Sequence, residues 1–503
     1  MSLKKLGGET LVYGLSNILG RLLNFVLVTY FITRLMPAEE YGVVSGLMFW
    51  TALLIALLVF RMDTIVFRFA SRGEYAATAV FRKAQRFVVW SVVVVLGGMF
   101  LLAEPLADWL QYPDRVVYIQ LVLATVAFDA LSAVPLARLR LEQRAWFFVT
   151  VNLGNVLVNM LLIFLLLYVW RWNAGWVAEQ TGIVFDVNYQ VGYYLLSIAL
   201  ASAFRYGFLL IDGLIKYRSD GVESVLDGKD ASREGPPLKT MLVYSLPLTL
   251  VAVAGIVNFL VAPEIIKFYH GGSITQNLRW SGYFGAATKL AVVLNLFVTA
   301  YNYAAEPFFF RQVGNDLATA DRTIYADATR AYALIAALAS AGILLFQPWL
   351  ELMIDQEERA GLVVLPLLLA GNFFFGLYSN FAVAYKLTDK TYFGGAIALT
   401  GSGIVIGGSL LFINDHGIFA VATAMLVCFV VMCLLAWLVS RRYFRVDYPL
   451  GRILVYAVLA SGTVWSVAHF GVENMLVRVV VFLVLAATLF AIEMRWIRKT
   501  FLS

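Results

Sequence analysis

The sequence predicts an all-α polytopic membrane protein, and three observations carry that expectation. Hydrophobic residues make up 61% of the chain and charged residues only 14%, whereas a soluble chain carries about a quarter charged residues. One apolar run of about twenty residues follows another, each long enough at about 1.5 Å per residue to cross a hydrocarbon core. Lysines and arginines fall mainly in alternate connections, the pattern expected of a chain threaded back and forth through a bilayer.

The first run, Leu11 to Thr33, carries Arg21 near its middle, and Tyr13, Asn17, Arg21 and Asn24 recur at helical spacing along one face. A guanidinium keeps its proton, with a pKa above about 12, so it must face protein or a wet cavity. Two readings stand: a residue lining a path for something anionic, or a structural arginine bonded to carbonyls of a neighbouring helix. Lys4 and Lys5 ahead of the run resemble a signal peptide. The run is too long, contains Arg21 and lacks a small-residue cleavage site, so it is expected to stay as the first span.

A connection at 34–40 leads to a second span, 41–60, whose helix is expected to continue through 61–72. There Arg61, Arg68 and Arg72 share a face; Arg68 and Arg72 read as interfacial anchors, and Arg61 and Asp63 lie deeper. Further spans are expected at 87–110, 116–137, 146–170 and 190–215. After the polar segment 216–239 come spans at 241–262, 281–305, 328–350, 362–385, 392–413, 417–440, 450–470 and 475–496, about fourteen helices in all.

Short echoes relate the two halves. LVYGL at 11–15 returns as LVYSL at 242–246, Asn24-Phe25 as Asn258-Phe259, and Tyr41 with Phe67-Arg68 as Tyr283 with Phe310-Arg311. Their common order predicts an N-lobe over 1–215 and a cytoplasmic linker over 216–239. A C-lobe over 240–440 follows, then two added helices and a tail over 441–503, with a cleft between two six-helix lobes. Charge orients the chain: ARLRLEQR, SRRYFR and MRWIRKT fall on the amino-terminal side, and QYPD and ELMIDQEER on the other. Trp109, Trp170, Trp172, Trp176, Trp280 and Trp349 lie near that second interface. Both termini are therefore expected in the cytoplasm.

Several function classes are disfavoured. The net charge of +6 is spread over many loops rather than gathered in a nucleic-acid patch. Cys428 and Cys433 suggest no disulfide framework. His270, His416 and His469 have no metal-ligand spacing, and no phosphate-cradling loop indicates ATP. No catalytic constellation and no cofactor is expected.

Polar positions inside apolar sequence remain. Asn152, Asn155 and Asn159 form one stripe; Thr288, Asn295, Thr299, Asn302 and Glu306 form another. Such amides either bond between helices or line a hydrated interior, where they suit hydroxyl-rich ligands such as sugars. Arg205 and Lys289 are further cations deep in apolar sequence. Asp63, Asp129 and Glu306 are the principal intramembrane acids, able to pair with arginines or to hold a coupling proton or sodium ion. The glycines Gly394, Gly395, Gly403, Gly407 and Gly408 read as close helix packing or a bend.

KLGGETLVYGLSNILGRLLNF followed by LMPAEEYGVVS, then DALSAVPLARLRLEQRA, YSLPLTL and YNYAAEPFFFR, resembles the polysaccharide transporter (Wzx-type) family of lipid-linked oligosaccharide flippases. That family belongs to the superfamily containing lipid II flippases and MATE exporters. The resemblance implies a V-shaped two-lobe fold and alternating access. The implied substrate is an undecaprenyl-pyrophosphate-linked oligosaccharide carried to the outer leaflet of a bacterial cytoplasmic membrane for O-antigen-like surface polysaccharide. It implies a cationic cavity, which Arg21, Arg61, Arg205 and Lys289 could match. Coupling to a proton or sodium gradient or to membrane potential would supply energy, though no specific motif supports it, and a polysaccharide polymerase and chain-length machinery are candidate partners. Where many relatives have an Asp-Arg pair after the seventh span, this chain has Glu264 and Lys267. The rivals are a lipid II flippase, a multidrug exporter (disfavoured because cationic drugs call for acidic cavities) and a membrane glycosyltransferase or polymerase, for which the outer loops are short.

Overall fold

A computed structural model describes residues 32, 34–70, 75–182, 184–219, 235–313, 321–388 and 390–501. The first apolar run, with Tyr13, Asn17, Arg21 and Asn24, lies outside the described residues, as do Arg72 and 220–234 of the polar connection. Every regular element among the described residues is helical, and thirteen helices are long and apolar enough to span a membrane. The protein is an all-α polytopic membrane protein, and the thirteen spans, without the undescribed first run, are consistent with about fourteen. Two compact units divide at Gly282 and Tyr283.

In the first unit, α1 (Ala38–Val59) opens after Pro37, with Glu39 and Glu40 in its first turn, where the helix dipole favours acids. The expected uninterrupted continuation through Arg61 is broken. Phe60 (φ 49°) and Arg61 (φ 56°) both take left-handed backbone before α2 (Met62–Ala70) resumes. Next comes α3 (Ala77–Leu101), which starts ten residues before the apolar run at 87–110. Ala77, Val80, Ala84 and Val88 give its amphipathic first half a buried stripe that hydropathy alone passes over.

Pro135 sits inside α4 (Val116–Leu141) and leaves the Leu131 carbonyl without its helical donor. Gln85 of α3 supplies one at 3.3 Å, so the kink site is satisfied from a neighbouring helix. The unit continues with α5 (Ala145–Trp172), α6 (Gln190–Ser219), α7 (Leu238–Leu260), the short α8 (Ala262–Tyr269) and the start of α9 (Ile274–Val313). The first turns of α1 and α9 meet backbone to backbone. A Cβ on Gly42 would overlap the Leu278 carbonyl, and one on Gly282 would overlap the Ala38 carbonyl. The two contacts are reciprocal, because each glycine covers the carbonyl four residues before the other. Glu39 and Arg279 add an exposed ion pair at 3.3 Å beside them.

The second unit holds the remainder of α9, then α10 (Thr323–Leu345), α11 (Leu365–Leu387), α12 (Tyr392–His416), α13 (Ile418–Tyr443), α14 (Leu450–His469) and α15 (Met475–Phe501). Its core centres on Tyr332 of α10, fully buried and donating to the Phe373 carbonyl at 3.2 Å. Gly376 makes room for that ring, since a side chain there would overlap the hydroxyl. Polar contacts fasten α15 to α10: Arg330 pairs with the fully buried Glu493, and Trp496 donates to Asp327 at 2.7 Å. Cys428 and Cys433 are buried free thiols on α13.

The reciprocal glycine contact gives a stability prediction. Gly42→Leu forces α1 and the start of α9 apart, with an overpacking cost of about 1–3 kcal/mol. A lowered unfolding temperature of the purified protein checks this, and Gly97→Leu on α3, where no atom lies near a new Cβ, serves as the neutral comparison.

Candidate functional site

The candidate site follows from asking which charged groups the apolar helices carry without compensation. The α1–α2 break places Arg61 about 14 Å from the far end of the nine-residue α2, well inside a span of 33 residues. Its carbonyl accepts from Thr64 and Ile65 at 3.0 and 3.1 Å and so starts the second helix. Two successive left-handed residues with side chains cost about 1–3 kcal/mol each, so the strain is concentrated at this position. Arg61 is half-buried, its Nε is shielded from solvent without a partner, and its guanidinium has no ion pair among the described residues. Asp63, two residues on, does not neutralise it. That carboxylate lies in the first turn of α2 and receives the Thr64 hydroxyl at 3.5 Å.

Arg205 has a different setting. Its Nη2 lies 2.6 Å from Asp129 Oδ1, joining α6 to α4. Both side chains are largely covered, so the geometry is that of a charge-assisted clasp between helices. On α5, Asn152 donates to the Phe148 carbonyl of its own helix at 2.9 Å, and Asn159 accepts from Ser197 of α6 at 3.1 Å. Asn155 Oδ1 is buried with no partner. Arg68 donates to the Tyr244 hydroxyl at 3.2 Å and lies over that ring.

In the second unit, Lys289 lies about 22 Å along α9 from its start. It is half-buried and has no hydrogen bond or ion pair among the described residues. Asn295 donates to Asn372 of α11 at 3.3 Å, and Asn372 in turn donates to the Ala291 and Leu368 carbonyls. Thr288 and Thr299 return their hydroxyls to carbonyls of α9. Asn302 lines a cavity of about 50 Å³ with Tyr301, Ser379, Asn380 and Lys386. The Glu306 side chain lies outside the described set, as do Asn17, Arg21 and Asn24.

Several polar groups escaped the sequence reading. Asn372 and Asn380 form an amide pair on one face of α11, eight residues apart, and Asn380 accepts from Tyr301 at 2.6 Å. Their spacing was visible in the sequence. Glu493, reached by Arg330 and by Arg452 at 3.6 Å, gave no local signal because its partners are remote in sequence. Near the end of α1 in the first unit, a cavity of about 210 Å³ is lined by Glu40, Gln111, Tyr112, Asp114, Arg115 and Tyr118.

Glu264 and Lys267 form a buried pair at 2.8 Å on α8, and Lys267 also donates to the Tyr112 hydroxyl at 3.3 Å. Burial draws the Lys267 ammonium below the ordinary lysine range, against the opposing pull of Glu264. Burial, with the Glu264 charge added, pushes the Tyr112 phenol well above its usual value. Gly46 admits the carboxylate, since a Cβ there would overlap Glu264 Oε1.

The profile of the polysaccharide biosynthesis protein family matches residues 6–313. The chain belongs to that family. No curated protein matches it. Among solved structures, it is similar to an inward-facing multidrug resistance MATE family transporter of the MOP superfamily, at 14% identity and a TM-score of 0.65. That match covers 89% of this chain and 95% of the other. It is also similar to the lipid II flippase MurJ in an inward closed conformation, at 14% identity and a TM-score of 0.62, covering 96% and 99%. An outward-facing MATE transporter aligns at 14% identity with a TM-score of 0.58, covering 89% and 96%. At such identities the likeness is one of fold.

For this member of the polysaccharide biosynthesis family, the arrangement divides its intramembrane cations into two kinds. Arg205 on α6, like Lys267 on the short α8 between two spans, is paired with a carboxylate, whereas Arg61 and Lys289 have no ion pair among the described residues. Asp129→Ala strands the Arg205 charge and should lower stability by about 2 kcal/mol or more. The double substitution Asp129→Ala/Arg205→Met should recover most of that loss, as read by thermal unfolding.

Proposed function

We propose that this chain is a flippase that moves an undecaprenyl-pyrophosphate-linked oligosaccharide from the inner to the outer leaflet of a bacterial cytoplasmic membrane by alternating access. The observation that carries the reading is the Arg61 guanidinium at a strained helix break, with no ion pair among the described residues, in a member of the polysaccharide biosynthesis family. A permanent cation at that depth is costly, and a pyrophosphate headgroup offers the acceptors it lacks. Arg21 on the first apolar run would add a second donor. Asn155, together with Asn17 and Asn24, would meet glycan hydroxyls, while the prenyl chain stays in lipid.

Under this reading the chain is a carrier rather than an enzyme, with both termini in the cytoplasm. A polysaccharide polymerase and chain-length machinery would take its product. Coupling would come from an ion gradient or the membrane potential.

A second reading, lipid II as the cargo, is favoured by the near-complete mutual coverage with the lipid II flippase fold. The two are separated by complementation: this chain should restore surface polysaccharide to a strain lacking its own flippase and should fail to rescue depletion of a lipid II flippase.

The test of the site is Arg61→Ala at normal expression. Loss of one charge-assisted contact to a phosphate, about 1.5–3 kcal/mol, should lower export at least tenfold, with Arg61→Lys retaining part of it. Unchanged surface polysaccharide in Arg61→Ala would remove this residue from the substrate path.

A further inference from the structure

The acidic stretch Glu351–Glu358 reads in the sequence as a solvated loop, yet one of its carboxyls is sealed inside the second unit. Glu358 is only 1% exposed, and neither of its carboxyl oxygens has a hydrogen-bond partner among the described residues. It opens a run of tight helical turns, Glu357–Val364, that leads into α11. The charged groups that act on it are Asp355 and Glu357, both acids. Arg359 is turned away and donates to the Ile354 carbonyl at 3.4 Å. From α11 and α13, which pack against this run, no charged group acts on Glu358 among the described residues.

A buried carboxylate with no donor and no cation, beside two further acids, has nothing to offset its lost hydration. The neutral acid does not carry that penalty. No cluster of acids, histidines or cysteines among the described residues has the makings of a metal site, so a proton is the ligand that fits.

The same run is seated on α9 by a contact with no slack. Gly361 lies so close to the Tyr283 carbonyl that a Cβ there would overlap it, and the Tyr283 hydroxyl donates to Glu357 at 3.3 Å. We propose that Glu358 is a proton-binding site, and that its protonation holds the Glu357–Val364 run seated on α9 while loss of the proton releases it. The step is a bare acid–base exchange: the carboxyl O–H bond breaks, the proton leaves to water, and the carboxylate that remains must reach solvent. Resting on the transport reading above, this makes Glu358 the group through which a proton gradient would act on the carrier.

The test uses the purified full-length chain in lipid vesicles and two readouts that do not involve glycan. Infrared spectroscopy at neutral pH should show a protonated-carboxyl band that Glu358→Gln removes; an unchanged band would overturn the proposal. Amide hydrogen exchange over 351–364, corrected for the intrinsic pH dependence of exchange, should rise by up to about tenfold per pH unit across the titration, the slope expected for one linked proton. In Glu358→Gln the same peptides should stay protected across that range. A flat profile in the unmodified protein, a measurement that needs no variant to fold, would also overturn the proposal, as would a Glu358→Gln profile that follows the unmodified protein. Gly361→Ala, which breaks the seat directly, should release the run at every pH and, because seating and protonation are linked, weaken the infrared band at neutral pH. Because neither readout scores transport, a failed flippase assignment and a failed proton site give different results.

Discussion

A charge inside an apolar layer must be neutralised, kept wet or handed to a ligand, and the architecture of this chain follows from that constraint. Moving an ion of carboxylate or ammonium size out of water costs several kcal/mol even after the surroundings relax. The helices answer mostly by pairing. Arg205 meets Asp129 across α4 and α6, Lys267 meets Glu264 within α8, and Arg330 meets Glu493 between α10 and α15. The two pairs between helices join segments whose apolar surfaces would otherwise give little reason to prefer one register over another, because lipid chains solvate leucine as well as a neighbouring helix does. Arg61 and Lys289 stand out against that background as cations with no ion pair among the described residues.

Backbone geometry reinforces the distinction. A continuous helix from Ala38 to Ala70 would have put Arg61 on a regular face, with its carbonyl bonded in the usual ladder. Instead Phe60 and Arg61 adopt left-handed angles, and the strain falls on a cation with no ion pair among the described residues. Strained backbone persists only where surrounding structure holds it. The reciprocal contacts of Gly42 and Gly282 supply close packing near one end of the same helix, and Gly46 opens a place for the Glu264 carboxylate.

Much of the fold was legible in the sequence because a bilayer imposes one dominant rule. About twenty apolar residues make a span, and the spans after the first were read close to where the helices lie. The exceptions have physical causes. The start of α3 is amphipathic, so a hydropathy window began it late, and the α1–α2 break depends on two φ angles that residue type does not announce. Among the polar residues, spacing revealed faces but not partners. Asn295 and Asn159 were visible as stripe members, yet their hydrogen bonds reach Asn372 and Ser197 on other helices. Glu493 and Glu358 were missed for opposite reasons. The partners of the first lie far away in sequence, and the second hides in a run of acids that reads as a solvated connection.

The way the amides are used bears on what the carrier would recognise. Asn152, Asn159 and Asn295 already bond to the protein, and only Asn155 and Asn302 among the described stripe residues stand apart from such pairing. A glycan would therefore meet few unpaired amides on α5, whereas an anionic headgroup would meet Arg61, which has no carboxylate partner among the described residues. Discrimination built on hydrogen bonds to individual hydroxyls requires a site whose polar groups are left unpaired by the wrong ligand; here most are satisfied before any ligand arrives. On the proposed function, binding would then be dominated by the charge common to all polyprenyl-pyrophosphate carriers. The sugar would be sorted by shape and by whichever residues of the first apolar run complete the path.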